Sequence, residues 1–172
     1  NSDCAGEVID VGQGVDRACL GKKVMGCFFQ SWLSGEINPS VMASALGGAI
    51  PGVLAEKVLL KHDGIVEIPK GFTFEEASTL PCAAVTAWHS LVCRKSIKAG
   101  EKVLLLGTGG VSVFAQQFAN IMGASTIVIS SSNEKLLRMS KLGALETINY
   151  QDFPDWDQKV MDPSGDGGVD HI

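Results

Sequence analysis

Lys102-Val103-Leu104-Leu105-Leu106-Gly107-Thr108-Gly109-Gly110-Val111-Ser112 is the stretch whose reading decides the fold. The apolar run up to Leu106 reads as a buried strand. Beyond the glycines, Val111, Phe114, Ala115, Phe118, Ala119 and Met122 recur at helical spacing, and Gln116, Gln117 and Asn120 are expected to point away from that face. A strand, a Gly-rich turn and a helix N-terminus make a cradle for a phosphate. Backbone N–H groups and the positive end of the helix dipole face the anion, and glycine lets the ligand come close. The glycines carry weight because of this strand–turn–helix context. Ser112 stands where the usual fingerprint has a third glycine, and a small hydroxyl is compatible with a close helix–strand contact. The competing reading is a tight turn without a ligand.

Downstream, strand and helix keep alternating. Thr126–Ser130 reads as a second strand, and a helix is expected from about Asn133 to Leu142, closed by Gly143. Glu146–Tyr150 reads as a third strand. A short helix near Asp155–Met161 and a turn, Pro163-Ser164-Gly165-Asp166-Gly167-Gly168, lead to the start of a fourth strand at Val169–Ile172. Repeated βα units imply a parallel sheet with right-handed crossovers. Residues 1–70 differ: they are rich in glycine, with strand candidates at Glu7–Val11, Lys23–Cys27, Val53–Leu60 and Ile65–Ile68, and a long irregular connection from Gln30 to Ile50. Thr73-Phe74-Glu75-Glu76 is a capping box that opens a helix.

The chain has 172 residues, 45% of them hydrophobic, with a formal net charge of −5 and a mean hydropathy of +0.19. This is the composition of a well-buried globular protein. The negative balance argues against a nucleic-acid surface or an anionic membrane as partner, and no apolar run approaches the ~20 residues that span a bilayer. Cys4, Cys19, Cys27, Cys82 and Cys93 form no CxxC pair, which suits a reducing compartment, so a cytoplasmic location is expected. Starting at Asn1 and ending at Ile172 inside a strand pattern, the sequence reads as a piece of a longer polypeptide.

Four segments occur in a specific order: Cys4-Ala5-Gly6-Glu7-Val8, Gly21-Lys22-Lys23-Val24, Leu80-Pro81-Cys82-Ala83-Ala84-Val85-Thr86-Ala87-Trp88, and Gly100-Glu101-Lys102-Val103 leading into the Gly-rich turn. As a set they resemble the medium-chain dehydrogenase/reductase superfamily, in particular its zinc-free alcohol-dehydrogenase-like and quinone-reductase-like members. The resemblance implies an α/β chain: a partial GroES-like β domain over residues 1–80, then the first half of a doubly wound Rossmann sheet over 81–172. The missing parts of both domains are expected before Asn1 and after Ile172. It also implies an enzyme that is a homodimer when full length.

Zinc-dependent relatives place His-Glu just before the residues matching Cys4-Ala5-Gly6, where this chain has Ser2-Asp3. Cys82 matches a thiolate ligand position, but a catalytic zinc needs three protein ligands. His62, His89 and His171 show no ligand spacing, and the lobe that holds structural zinc in relatives is reduced to Cys27-Phe28-Phe29-Gln30-Ser31-Trp32. No zinc is therefore expected, and Cys82 reads as a small apolar residue.

The cofactor is expected to be NADP(H) in preference to NAD(H). A carboxylate at the end of the second strand usually binds the ribose 2′-hydroxyl, and here that strand ends Ile129-Ser130-Ser131-Ser132-Asn133 without an acid. Ser130, Ser131 and Lys135 offer donors to a 2′-phosphate, and the resemblance adds Tyr150 as its cover. The alternative is that Ser131-Ser132-Asn133-Glu134 is a helix cap and Lys135 a solvated residue. Gly107, Thr108, Gly109 and Gly110 would hold the pyrophosphate, and Thr86 and Val111 match positions beside the nicotinamide. Without a metal, hydride transfer to a quinone, an enone or a similar conjugated carbonyl is the expected reaction, because the acceptor delocalises the incoming charge. An alcohol/carbonyl dehydrogenase and a non-catalytic nucleotide-binding protein are the other readings. Asp3 reads either as a polar group near the reacting centre or as a plain turn or strand-start residue. The sequence names no proton donor.

Overall fold

The computed structural model describes residues 1–164 and 168–172. The chain divides into two compact units, Asn1–Cys82 and Ala83–Ile172. The first is built on a small antiparallel sheet of β1 (Ala5–Glu7), β2 (Lys23–Gly26) and β3 (Ile65–Glu67), in that order. Ala5 pairs with Met25, and Val24 pairs with Glu67. β1 begins earlier than the expected Glu7–Val11 and stops at Glu7, because past Val8 the chain turns towards the loop around Gly12 and Gly14.

Val53–Leu60 is not a strand, contrary to its apolar pattern. Pro51-Gly52 precede it, and Ala55 N–H donates to Val53 C=O, a tight turn that breaks extension. Leu54 and Leu59 are almost wholly exposed. The long connection from Gln30 to Ile50 is anchored at its start by one buried amide. Gln30 Nε2 donates to Cys27 O at 2.8 Å and to Gly64 O at 2.9 Å, and its Oε1 accepts from Lys61 N–H at 2.8 Å. Within it, Asn38 caps the single-turn α1 (Pro39–Met42). The capping box at Thr73 forms as read and opens α2 (Phe74–Ser78).

The second unit opens with helical backbone over 83–94, centred on α3 (Val85–Trp88), with wider turns over His89–Arg94. β4 (Lys102–Leu106), α4 (Gly110–Ile121), β5 (Ser125–Ser130), α5 (Asn133–Lys141), β6 (Glu146–Asn149) and α6 (Trp156–Ser164) follow. The strands are parallel in the order β4-β5-β6, with Leu104 opposite Ile127 and Val128 opposite Thr147. α4 and α5 cover one face, packing Ala115, Ala119, Leu136 and Met139 on Val103, Leu105 and Val128. α6 covers the other, with Val160 on Leu104, Ile127, Ile129 and Ile148. The apolar runs thus read as buried strands because both faces are covered. The turn expected over Pro163–Gly168 is corrected at its start, where Pro163 and Ser164 continue α6, and residues 165–167 lie outside the described residues.

The chain then returns to the free edge of β4. Val103 bridges His171 in parallel, and Leu104 N–H donates to His171 C=O at 2.9 Å. Asp170 Oδ2 accepts from Lys102 N–H, and His171 Nε2 lies 3.0 Å from Glu101 Oε2. β4 therefore has β5 on one side and residue 171 on the other, so the strand order reverses at β4.

Two positions on α4 depart from the helical pattern. Gln116, expected to face outward, is fully buried; its Oε1 accepts from Thr126 Oγ1 and its Nε2 donates to Asn120 Oδ1 at 3.0 Å. Val111, expected on the inner face, is half-exposed at the first turn.

Candidate functional site

The Gly-rich turn sits at the carboxyl end of β4, where the strand order reverses. In open α/β sheets that is where ligands bind. Gly107 ends the strand with φ +96°, a conformation side chains rarely adopt, and its N–H donates to Ile129 C=O at 2.8 Å. Gly110 opens α4, and a Cβ there would lie 3.3 Å from Ala83 Cβ, so its small size serves packing.

Gly109 is different. Its φ of −78° and ψ of 179° suit any residue, and a Cβ built on it meets nothing within 4 Å. Neither backbone nor packing asks for glycine there. Gly109 is also the N-cap of α4 and supplies no capping side chain, whereas Asn38, Thr73 and Ser132 cap α1, α2 and α5. The first turn of the longest helix is left open towards the space that a side chain at 109 would fill.

The other carboxyl ends lie alongside. Ser130 is buried at the end of β5, with its Oγ accepting from Ser132 N–H at 3.3 Å. Tyr150 N–H donates to Ser130 C=O at 3.2 Å, which brings the half-exposed tyrosine to the same rim. Ser131 is exposed, and Ser132 caps α5 by accepting from Lys135 N–H. The cap is made by Ser132, and Ser131 takes no part in it. The exposed Lys135 ammonium has no ion-pair partner among the described residues. No acid ends β5; Glu134 is turned to Arg138 at 2.5 Å. Asn149 Nδ2 donates to Asn133 Oδ1 at 2.8 Å and ties the end of β6 to the start of α5, a pairing across 16 positions that no local signal announced. Thr86 is exposed on α3, three residues after the Ala83 that touches Gly110, and Thr108 is half-buried in the turn itself.

The donor set for a metal is thin. Among the described residues no group of three or more His, Cys, Asp or Glu is placed to hold an ion. Cys82 has the Asp3 carboxylate within electrostatic reach; burial first, and then that charge, push its thiol above the ordinary value. Its neighbourhood favours the protonated thiol, whereas a zinc ligand is a thiolate. The residues described do not fit a zinc site.

Two family models cover most of the chain: an alcohol dehydrogenase GroES-like domain matches residues 1–70, and a zinc-binding dehydrogenase domain matches 110–172. The chain belongs to the medium-chain dehydrogenase/reductase superfamily. Its β unit is thus a GroES-like domain and its parallel sheet a Rossmann-like one. Within the superfamily it is 43% identical to a zinc-type alcohol dehydrogenase-like protein of Schizosaccharomyces pombe, over 99% of this chain and 50% of that protein. The crystal structure of a putative alcohol dehydrogenase from Sinorhizobium meliloti 1021 superposes with a TM-score of 0.89 at 45% identity, over 99% of this chain and 51% of that one. A quinone oxidoreductase from Pseudomonas syringae pv. tomato is more distant, with a TM-score of 0.68 and 27% identity over 93% of this chain and 43% of that one. The chain spans about half the length of these relatives. Among the described residues no helix is long and apolar enough to cross a membrane.

Proposed function

We propose that the whole protein is an NAD(P)-dependent oxidoreductase that moves hydride between a nicotinamide cofactor and an alcohol/carbonyl pair, with NADP(H) as the preferred cofactor. The observation that carries this reading is Gly109, a glycine required by neither backbone nor neighbours at the uncapped start of α4. Close approach of a pyrophosphate accounts for it. Alcohol/carbonyl chemistry is favoured over a quinone or enone acceptor by the greater likeness to a zinc-type alcohol dehydrogenase-like protein and a putative alcohol dehydrogenase, 43% and 45% against 27% for a quinone oxidoreductase.

In this reading the bound cofactor gives or takes hydride at nicotinamide C4. The turn Gly107–Gly110 receives the pyrophosphate through backbone N–H groups, and the dipole of α4 favours its charge. Thr86 and Val111 flank the nicotinamide and orient its reactive face. Ser130, Ser131 and Lys135 donate to a 2′-phosphate, and Tyr150 covers it. The rest of the task is to align donor and acceptor and to exclude water.

One observation favours the quinone or enone reading: Cys82 lacks the companions that a Lewis-acid site needs. A conjugated acceptor spreads the incoming charge and needs less polarisation. Absorbance at 340 nm separates the two. NADP⁺ reduction by the whole protein with a panel of primary and secondary alcohols supports the proposal. NADPH oxidation by quinones or enones, with no alcohol turned over, replaces it with the second reading. No turnover in either direction, with tight NADPH binding, leaves a nucleotide-binding protein.

A further inference from the structure

We propose that Cys19, His62 and Asp63 form a thiol site that captures small α,β-unsaturated carbonyl compounds by conjugate addition. The site lies wholly in the first unit and does not depend on the nucleotide reading. Cys19 ends a tight turn, Arg17–Cys19, which Asp16 caps by accepting from Ala18 N–H at 2.9 Å. His62 opens a second tight turn, His62–Gly64. Cys19 Sγ lies 3.9 Å from His62 Nε2, and His62 Nδ1 lies 3.1 Å from Asp63 Oδ1.

Only one arrangement of protons satisfies these contacts with a neutral imidazole. Nδ1–H donates to the carboxylate, and the Nε2 lone pair faces the thiol. A nucleophile, a base and a group that orients the base are thereby placed in sequence. The 3.9 Å separation is at the long end for sulfur, and such contacts shorten as charge develops. Lys22, paired with Glu67, is within electrostatic reach of both Cys19 and Asp16.

The other cysteines lack this setting. Cys4, Cys27 and Cys82 are half-buried, as Cys19 is, but none of them is bonded to an imidazole among the described residues, and burial pushes each of these three thiols up. Cys93 is exposed, but among the described residues no imidazole bonds to it. Cys19 and His62 also line an open groove of about 750 Å³, whose walls include Val8, Ile9, Val58 and Leu59. A groove with hydrocarbon on its walls beside a thiol within reach of a base suits a soft electrophile with a hydrocarbon body.

The step balances without an oxidant or a leaving group. The Cys19 thiol proton passes to His62 Nε2 as sulfur attacks the β-carbon. The S–C bond forms, the C=C π pair moves into the enolate, and the imidazolium returns its proton to the α-carbon. The product is a neutral thioether adduct, one ligand per Cys19.

The test uses the whole protein with cyclohex-2-enone at pH 7.5, followed by peptide mass spectrometry over time. Cys19 is expected to acquire the adduct at least about tenfold faster than exposed Cys93. His62→Gln is expected to lower the Cys19 rate about tenfold or more and leave Cys93 unchanged, and Asp63→Asn to lower it by less. His62 is more than half exposed, and a melting curve verifies that the variant is folded. Iodoacetamide, which has no hydrocarbon body and needs no returned proton, should show a smaller preference for Cys19 than the enone does. Cys93 reacting as fast as Cys19 in the unmutated protein overturns the proposal whatever the variants do. An unchanged Cys19 rate in folded His62→Gln does so as well.

Discussion

Gly109→Asp separates a ligand cradle from a mere turn, because the two readings give opposite pairs of signs. The backbone at 109 is extended and within the range of any residue, and the space beyond its Cβ is open for 4 Å. Aspartate is a good N-cap, accepting from the N–H groups of the first turn, while glycine is worth a few tenths of a kcal/mol less there. Its charge also complements the helix dipole by about 0.3–1 kcal/mol. The variant is therefore expected to be more stable without ligand, by about 0.5–1 kcal/mol, which raises Tm by roughly 1–4 °C for a domain of this size.

Nucleotide binding is expected to move the other way. A carboxylate about 5 Å from a pyrophosphate charge costs roughly 3 kcal/mol at an effective dielectric constant of 20, a factor on the order of 10² in Kd. The new side chain also takes the N–H groups the phosphate needs. Gly109→Ala is the uncharged companion: it lacks both the cap and the repulsion, so Tm falls slightly and affinity drops less. Scanning calorimetry of the nucleotide-free whole protein and titration with NADPH read the two quantities. Unchanged NADPH affinity in Gly109→Asp refutes the cradle. Lower Tm together with lost affinity refutes the structural account of position 109.

Ser131→Asp is expected to reverse cofactor preference from NADPH to NADH in kcat/KM, since an acid accepts from a ribose hydroxyl and repels a 2′-phosphate. Lys135→Ala is expected to weaken NADPH alone, by tenfold or more, because charge-assisted contacts are worth about 1.5–3 kcal/mol; equal losses for both cofactors would assign Lys135 to α5. The Glu101 carboxyl is held below its ordinary value of 4.5 by His171 first and then by Lys98 N–H. Its contribution to stability is therefore full above that value and fades as pH falls through the lowered one, a slope that urea unfolding should show in the native chain and that Glu101→Gln should flatten. Thr126→Val removes the hydroxyl that serves buried Gln116 Oε1 and is expected to cost about 1–3 kcal/mol; Thr126→Val with Gln116→Leu should recover much of it, and full additivity in calorimetry would argue against the pair.

What the sequence disclosed and what it withheld follow from range. The βα alternation, the capping box at Thr73 and the close of α5 before Gly143 are written within a few residues, and the structure has them. Val53–Leu60 misleads because an apolar run is only a strand when a neighbour supplies hydrogen bonds, and the turn at Val53–Ala55 denies it one. Gln116 misleads in the opposite sense: a polar residue is outward only if nothing inside can bond it, and Thr126 lies ten residues on, in the next strand. Glu101 and His171 meet across 70 positions, and Cys19 and His62 across 43, for the same reason. The candidate site is intermediate. Its glycines were legible as a motif, but the motif treats them alike. Only their surroundings divide the work, with Gly107 serving the backbone, Gly110 serving the contact with Ala83, and Gly109 serving neither. A residue that the fold does not require is the one whose identity is left for a ligand to explain.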